Sequence, residues 1–179
     1  MKTNKNLLKF IALLAACFVI FTVSAAAQKR KTTTRRAAKT ATESTAGNSF
    51  GIKEGAQKVS TQLKNLTRFL YGFGNVAQVI EDLDRDIKAG RASKNAPDLN
   101  QKNKHAVLST IRDFRAGLAA VEVEFRTKPA LKNYLFQING ITDIAGNAED
   151  QASGGQFVES GKTLLLVVEK LADTLAAMP

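Results

Sequence analysis

The chain has 179 residues with 44% hydrophobic and 23% charged side chains, so its composition predicts one compact folded domain. Its net charge of +10 resides mainly in the first 48 residues, since residues 49–179 contain 17 basic and 15 acidic side chains, and this excludes a uniformly basic domain that coats nucleic acid. The single cysteine, Cys17, excludes an intrachain disulfide, a cysteine-based metal site and a c-type haem attachment.

Residues 1–27 are predicted to be a secretory signal peptide. Three lysines precede an apolar run from Phe10 to Val23, which has the length of a signal-peptide core and is short for a bilayer span of about 20 residues. Small residues at Ala25 and Ala27 suit cleavage after Ala27. We therefore expect an extracytoplasmic protein, periplasmic or secreted, with no transmembrane segment in the mature chain.

The leader also contains a second cleavage signal. The sequence Leu-Ala-Ala-Cys ending at Cys17 reads like the site at which bacterial lipoproteins are lipidated, and lipidation there would anchor the protein to a membrane. A polar tether is expected after a lipidated cysteine, whereas here the apolar run continues. Cleavage after Ala27 is the preferred interpretation, and a lipoprotein anchored at Cys17 is the alternative.

A basic segment rich in threonine and alanine follows at residues 28–48 and contains no large apolar side chain. It cannot bury enough surface to offset the entropy of ordering, so it is predicted to be a disordered tether. The alternative is an arm that contacts an anionic envelope surface electrostatically. No aromatic ring is interleaved for base stacking, so nucleic acid is not the expected partner. The candidate contact residues are Lys29, Arg30, Lys31, Arg35, Arg36 and Lys39.

Residues 49–179 are predicted to form an all-α antiparallel bundle of about four helices. In the first helix, Phe50 to Lys88, apolar residues recur at spacings of four and three. Gly72 and Gly74 do not shift this register, so we expect a continuous long helix in which the glycines permit a kink. Its apolar stripe is Ile52, Ala56, Val59, Leu63, Leu66, Leu70, Phe73, Ala77, Ile80, Leu83 and Ile87.

Three shorter helices are expected after the first. The second begins near Asp98 or Asn100, after a break that starts at Gly90. Pro129 suits the first turn of the third helix, which the Asn139-Gly140 pair weakens so that it bends or frays. The fourth helix has the most regular stripe, namely Phe157, Gly161, Leu164, Val168, Leu171, Leu175 and Met178.

Two patterns resemble binding loops but lack the required spacing. The Gly-Lys-Thr sequence at Gly161 would need a glycine at Gln156 to complete a phosphate-binding loop. We therefore predict that Gly161 is a close-packing position between helices. The alternate aspartates Asp82, Asp84 and Asp86 lack the glycine and the terminal glutamate of a calcium loop, and are predicted to form local ion pairs on a solvated face.

The single histidine, His105, restricts catalysis and metal binding further. A di-iron bundle needs two histidines, and a Ser-His-Asp triad needs a strained nucleophile turn that is not found in the sequence. A surface position near a helix start is expected for His105. No catalytic, cofactor-binding or metal-binding residue is predicted, and the chain is predicted not to be an enzyme.

One aromatic concentration, Phe69, Tyr71 and Phe73, lies beside the glycines of the first helix. Phe73 belongs to the apolar stripe. Phe69 and Tyr71 are candidate partner or ligand contacts, and the alternative is core packing with one ring exposed.

The sequence thus favours an exported, non-enzymatic helical-bundle protein of the bacterial cell envelope. It would act by binding a protein partner, or a second copy of itself, through a helix face. The alternatives are a module that binds a polyanion or membrane surface through the basic arm, and a small-molecule carrier that uses a cavity in the bundle.

Overall fold

The computed structural model describes the backbone of residues 40–179 and the side chains of residues 48–179. Cys17, the predicted signal peptide and the arm residues Lys29 to Lys39 lie outside this part of the chain. The described residues form five α-helices and one 3-10 helix, without strands. The helices are α1 (Thr40–Lys88), α2 (Ala96–Thr127), the 3-10 helix (Pro129–Tyr134), α3 (Leu135–Ile138), α4 (Ile141–Ser153) and α5 (Phe157–Ala177).

Helices α1 and α2 pack side by side in opposite directions. Lys58 in the first half of α1 binds Glu124 near the end of α2 at 2.7 Å, and Asp84 near the end of α1 binds Lys104 near the start of α2 at 2.6 Å. Between these pairs, the apolar stripes of both helices contribute to one hydrophobic core. The predicted register of the two stripes therefore corresponds to an antiparallel helix pair.

Helices α4 and α5 complete the bundle. Helix α4 packs against α2 and α5, and Thr142 at its start binds Glu122 near the end of α2, so α2 and α4 run antiparallel. Helix α5 packs against α4 and places Gly161 against Phe73 of α1. The prediction of an all-α antiparallel bundle with a long first helix is confirmed. No helix in the described part of the chain combines the length and the apolar character needed to cross a membrane.

The first helix is longer than its stripe predicts. It ends at Lys88 as expected but begins at Thr40, ten residues before Phe50, and so includes the last part of the predicted tether. An apolar-stripe criterion does not detect these turns because their sequence has no large apolar residue. At the other end, Gly90 has φ +68°, and its N–H and that of Arg91 bond back to α1 carbonyls in a Schellman motif, as the C-cap prediction requires.

The third predicted helix is divided into three pieces. The chain from Pro129 first forms the 3-10 helix, then the single turn of α3, and only then α4. The break between α3 and α4 falls at Gly140, which has φ +86°, a conformation that favours glycine. The predicted weakness at Asn139-Gly140 is therefore a true helix break, and the single third helix that was predicted is divided into three separate elements.

The buried face of α5 agrees with the predicted stripe at Phe157, Leu164, Leu171 and Met178, whereas at the positions between them the buried residue is the one before the predicted one. Ser160 and Thr174 lie fully inside, because Ser160 donates to the Ala148 carbonyl and Thr174 to the Lys170 carbonyl, each at 2.7 Å. These bonds remove the cost of burying a hydroxyl. The predicted stripe positions left only partly buried are Gly161, Val168 and Leu175.

Candidate functional site

The three alternate aspartates of α1 do not converge on one point. Asp84 contacts Lys104 of α2, Asp86 contacts Arg91 at 2.7 Å, and Asp82 pairs with an arginine one turn along its own helix. Among the described side chains, no group of three or more His, Cys, Asp or Glu residues is placed to hold a metal ion. Each aspartate therefore forms a local ion pair, and the Asp84 pair connects α1 to α2.

The other two sequence candidates also have structural positions. His105 is exposed on α2 beside an open surface depression that Asp98 and Lys102 share. Gly161 lies inside α5, where an added Cβ would approach Phe73 Cε1 to 3.0 Å. The prediction that Gly161 is a close-packing position is confirmed, and the helix through it differs from the non-helical backbone of a phosphate-binding loop.

The most deeply buried charge among the described side chains, Glu122, caps a helix. Its carboxylate accepts hydrogen bonds from Gly140 N–H at 2.9 Å, Thr142 Oγ1 at 2.6 Å and Arg126 Nη2 at 2.6 Å. Burial raises the pKa of Glu122, but these bonds and the Arg126 charge outweigh burial and hold the pKa below its ordinary value. The group remains ionised and fully occupied at the N-terminus of α4, so it serves structure.

A second charged cluster joins α1 to the end of α2 and to Lys128, the residue before the 3-10 helix. Glu54 accepts from Lys58 and Lys128 at 3.0 Å each, and both lysines also bind Glu124. The hydrogen bonds from Lys128 and Lys58 lower the pKa of Glu54, and the bond to Glu124 is the main reason that the pKa of Lys58 is raised. All four groups are ionised and mutually satisfied, which leaves none of them poised for proton transfer.

A shallow apolar groove runs along the contact between α1 and α5. It has a volume of about 220 Å³ and is lined by Leu70, Phe73, Gly74, Val158 and Leu165 together with neighbouring side chains. Gly74 lies on the α1 rim of the groove, and a Cβ there would meet nothing within 4 Å. It is open and contains no cluster of polar groups, so it offers a contact surface and no constellation for catalysis.

The outer surface of α5 carries two adjacent leucines, Leu165 and Leu166, each 49% exposed. Lys162 lies one turn before them and Glu169 one turn after them, and both are exposed. Lys162 is paired with Glu159 one turn earlier at 2.7 Å. We refer to Lys162, Leu165, Leu166 and Glu169 as the α5 face. It is an apolar centre with one charge of each sign at its ends.

The outer surface of α1 is different in character. Phe50 is 72% exposed and Tyr71 is 91% exposed, and Lys53, Lys64 and Arg68 lie between them on the exposed side of the helix. None of these three basic residues forms an ion pair with a residue that the structure describes. We refer to the five residues as the basic-aromatic face.

The structure separates the two aromatic candidates of the sequence. Phe69 is buried and stacks on Phe73 with ring centroids 4.8 Å apart, and it also contacts Phe114 of α2 at 5.2 Å. Tyr71 points to solvent on the opposite side of α1. Core packing with one exposed ring therefore describes this segment, and only Tyr71 is accessible to a partner.

Of the residues on these two faces, the sequence reasoning singled out Tyr71 alone, although signals for the others exist. The leucines of the α5 face lie off the apolar stripe, and two large apolar side chains outside a stripe indicate surface contact. The basic residues of α1 were counted by segment, whereas their positions around the helix would have placed them on one side. No family model, curated protein or solved structure matches the chain. Its function must therefore be inferred from the chemistry of these two surfaces.

Proposed function

We propose that this chain is an exported, non-enzymatic helical-bundle protein that acts by self-association, with a second copy docking on the α5 face. The observation that carries the proposal is the order of residues on that face. Lys162 and Glu169 lie at equal sequence distances on either side of the midpoint between Leu165 and Leu166. The face is therefore complementary to itself when a second α5 runs in the opposite direction.

A two-fold axis through that midpoint generates the contact. It places Leu165 of one copy beside Leu166 of the other, and it places each Lys162 opposite the other copy's Glu169. Contacts of this kind are isologous and close after two subunits. The leucines supply the apolar burial, and the two charge pairs select the antiparallel orientation as charged flanking positions do in coiled coils.

The expected dimer is weak. One pair of helix faces buries less surface than the roughly 1,200 Å² at which stable interfaces begin, so association belongs to the transient class. The exposed Lys162–Glu159 pair costs little to exchange for a contact between copies, since surface ion pairs contribute about 0–1 kcal/mol.

The test is a charge exchange followed by sedimentation equilibrium across a wide concentration range. Lys162→Glu alone and Glu169→Lys alone each place like charges together in the dimer and should weaken it. The double exchange, Lys162→Glu with Glu169→Lys, restores opposite charges and should restore association. Leu165→Ser with Leu166→Ser should abolish it, while Val123→Ser, at an exposed apolar position on α2, should leave it intact.

Two results overturn the proposal. A protein that stays monomeric at every concentration has no such interface. A double exchange that associates no better than the single variants shows that the two charges do not face each other, and then self-association, if present, uses another surface.

Export is a separate part of the proposal, and the leader sequence supports it. The intact mass of the protein recovered from its producing host measures it directly. A polypeptide that begins at Gln28 is expected. A mass that corresponds to a polypeptide beginning at Cys17 with added acyl chains would show that the protein is a lipoprotein. A mass that corresponds to the chain from Met1 would contradict export by either cleavage route.

A further inference from the structure

The five residues of the basic-aromatic face lie on one straight stripe. They follow one another at intervals of 3, 11, 4 and 3 residues, each close to a whole number of helical turns. At 100° per residue they fall within a sector of about 60° around α1, and at 1.5 Å per residue the stripe is about 32 Å long. One rigid helix therefore presents three cations and two rings in a single direction.

The positive charge of this stripe is not neutralised by its own helix. Glu54 is the only acidic residue of α1 between Phe50 and Ile80, and it is turned toward α2, where it binds Lys58 and Lys128. The next acidic residues follow at the far end of α1, beyond Tyr71. The stripe is a local basic surface on a domain whose charges are otherwise nearly balanced.

We propose that the basic-aromatic face binds the surface of an anionic phospholipid bilayer. Lys53, Lys64 and Arg68 would contact lipid phosphates, while the rings of Phe50 and Tyr71 enter the headgroup region. Basic side chains near an anionic leaflet are attracted to it, and aromatic side chains such as tyrosine are enriched at the headgroup level of a bilayer. The inference goes beyond self-association, because it uses a different helix and a different partner.

The rings decide between a bilayer and a dissolved polyanion. A polymer of phosphates neutralises the cations but offers no apolar phase for the exposed phenyl ring of Phe50, whereas a bilayer offers both. Stacking on nucleic-acid bases needs rings beside one another along the strand. Phe50 and Tyr71 stand at opposite ends of the stripe, so the arrangement suits a flat, extended surface.

The first experiment measures partition onto large unilamellar vesicles, with phosphatidylglycerol and phosphatidylcholine mixed or phosphatidylcholine alone. The protein is used as recovered from its host, with its N-terminus fixed by mass. Lys53→Gln, Lys64→Gln and Arg68→Gln together should lower the partition coefficient on anionic vesicles by about 100-fold, since each basic residue near such a surface contributes about 5-fold.

The matched control carries Lys88→Gln, Lys94→Gln and Lys102→Gln. These lysines are also exposed, lie toward the other end of the bundle and leave the same net charge when removed. The control should bind within a few-fold of the unmodified protein. Because both triple variants retain residues 28–48, an equal loss in the two would assign the binding to the basic arm or to net charge, and would overturn the proposal.

The second experiment locates the bound face with tryptophan, which the chain lacks. Phe50→Trp and Tyr71→Trp should shift their emission to the blue on anionic vesicles and be quenched by brominated lipid. Val123→Trp, at an exposed position on α2, should keep the emission of a water-exposed tryptophan with and without vesicles. The proposal is overturned if the emission of both tryptophans, at positions 50 and 71, remains unshifted and unquenched while the protein is bound. It is also overturned if the unmodified protein binds no anionic vesicle.

Self-association and membrane binding can fail separately. The variant with Leu165→Ser and Leu166→Ser should retain vesicle binding at concentrations where the protein is monomeric. If that variant loses the dimer and keeps the partition coefficient, the two surfaces are independent. If it loses both, the lipid-binding form requires the dimer, and direct binding by one basic-aromatic face is wrong.

Discussion

Opposite sides of the bundle are held together by different chemistry. Between α2 and α4, Glu122 caps the start of α4, and Glu149 accepts from two arginines of α2 at 2.7 and 2.9 Å. Between α5 and α1 the contact is mostly apolar: Gly161 lies against Phe73, and Glu81 accepts one hydrogen bond, at 2.8 Å, from the start of α5. The first contact is directional, and the second depends on shape.

This difference explains where the molecule can offer a surface. Charge-assisted bonds need fixed partners, so the α2–α4 contact determines register and leaves its polar groups occupied. A contact between apolar side chains and glycine has no such requirement and remains partly open as the groove beside Gly74. Both proposed binding faces belong to α1 and α5, the two helices whose mutual contact is the less polar one.

The largest effect is expected from Glu122→Ala, which removes the cap of α4. The N–H groups at the start of α4 and the Thr142 hydroxyl would lose their acceptor, so the free energy of unfolding should fall by about 3 kcal/mol. Urea denaturation measures it. The control is Glu124→Ala, two residues further along α2, where the carboxylate binds half-exposed lysines. It should lower the free energy of unfolding by about 1 kcal/mol or less. Equal losses would show that the cap has no special role.

A smaller loss is expected when the α1–α5 contact is overfilled. Gly161→Val would push a branched side chain against the Phe73 ring, where even a Cβ reaches 3.0 Å, so stability should fall by about 2 kcal/mol. Gly161→Ala should change little, because the gain in helix propensity offsets the tighter contact. Thermal unfolding measures both. A valine variant as stable as the parent would mean that α1 and α5 separate freely.

A substitution on the rim of the groove should increase the stability of the protein. Gly74→Ala should raise the free energy of unfolding by about 1 kcal/mol, because α1 gains a better helix former and the new Cβ meets no atom within 4 Å. Gly140→Ala is the contrasting variant. Its φ of +86° makes any Cβ unfavourable, so it should destabilise. Loss of stability in Gly74→Ala would indicate that α1 is not a regular helix there.

The same contrast shows what the sequence can and cannot predict. The apolar stripes of α1 and α2 identified both helices and their core, because a 3.6-residue period directly reports which side is buried. The buried face of α5 was only partly identified, since Ser160 and Thr174 read as surface residues until their acceptor carbonyls are known. Glu122 gave no signal as a cap, because Gly140 and Thr142 lie 18 and 20 residues away along the chain and only the fold brings them to its carboxylate.

The smallest expected effect is the acid dependence that Glu122 adds. Burial raises its pKa, but the hydrogen bonds from Thr142 and Gly140 lower the pKa by more than burial raises it. The folded pKa is therefore below the unfolded value of about 4.3. A carboxyl group with a depressed pKa contributes its full stability above the unfolded pKa and loses it as the pH falls through the folded pKa.

The test compares the unfolding free energies of the parent and of Glu122→Gln. Their difference should be constant from about pH 6 to 8, where the carboxyl is ionised in both the folded and the unfolded state, and it should shrink below about pH 5. Urea denaturation at each pH measures it. A difference that persists unchanged in acid would mean that shape and hydrogen-bond count, rather than the charge of Glu122, hold the start of α4.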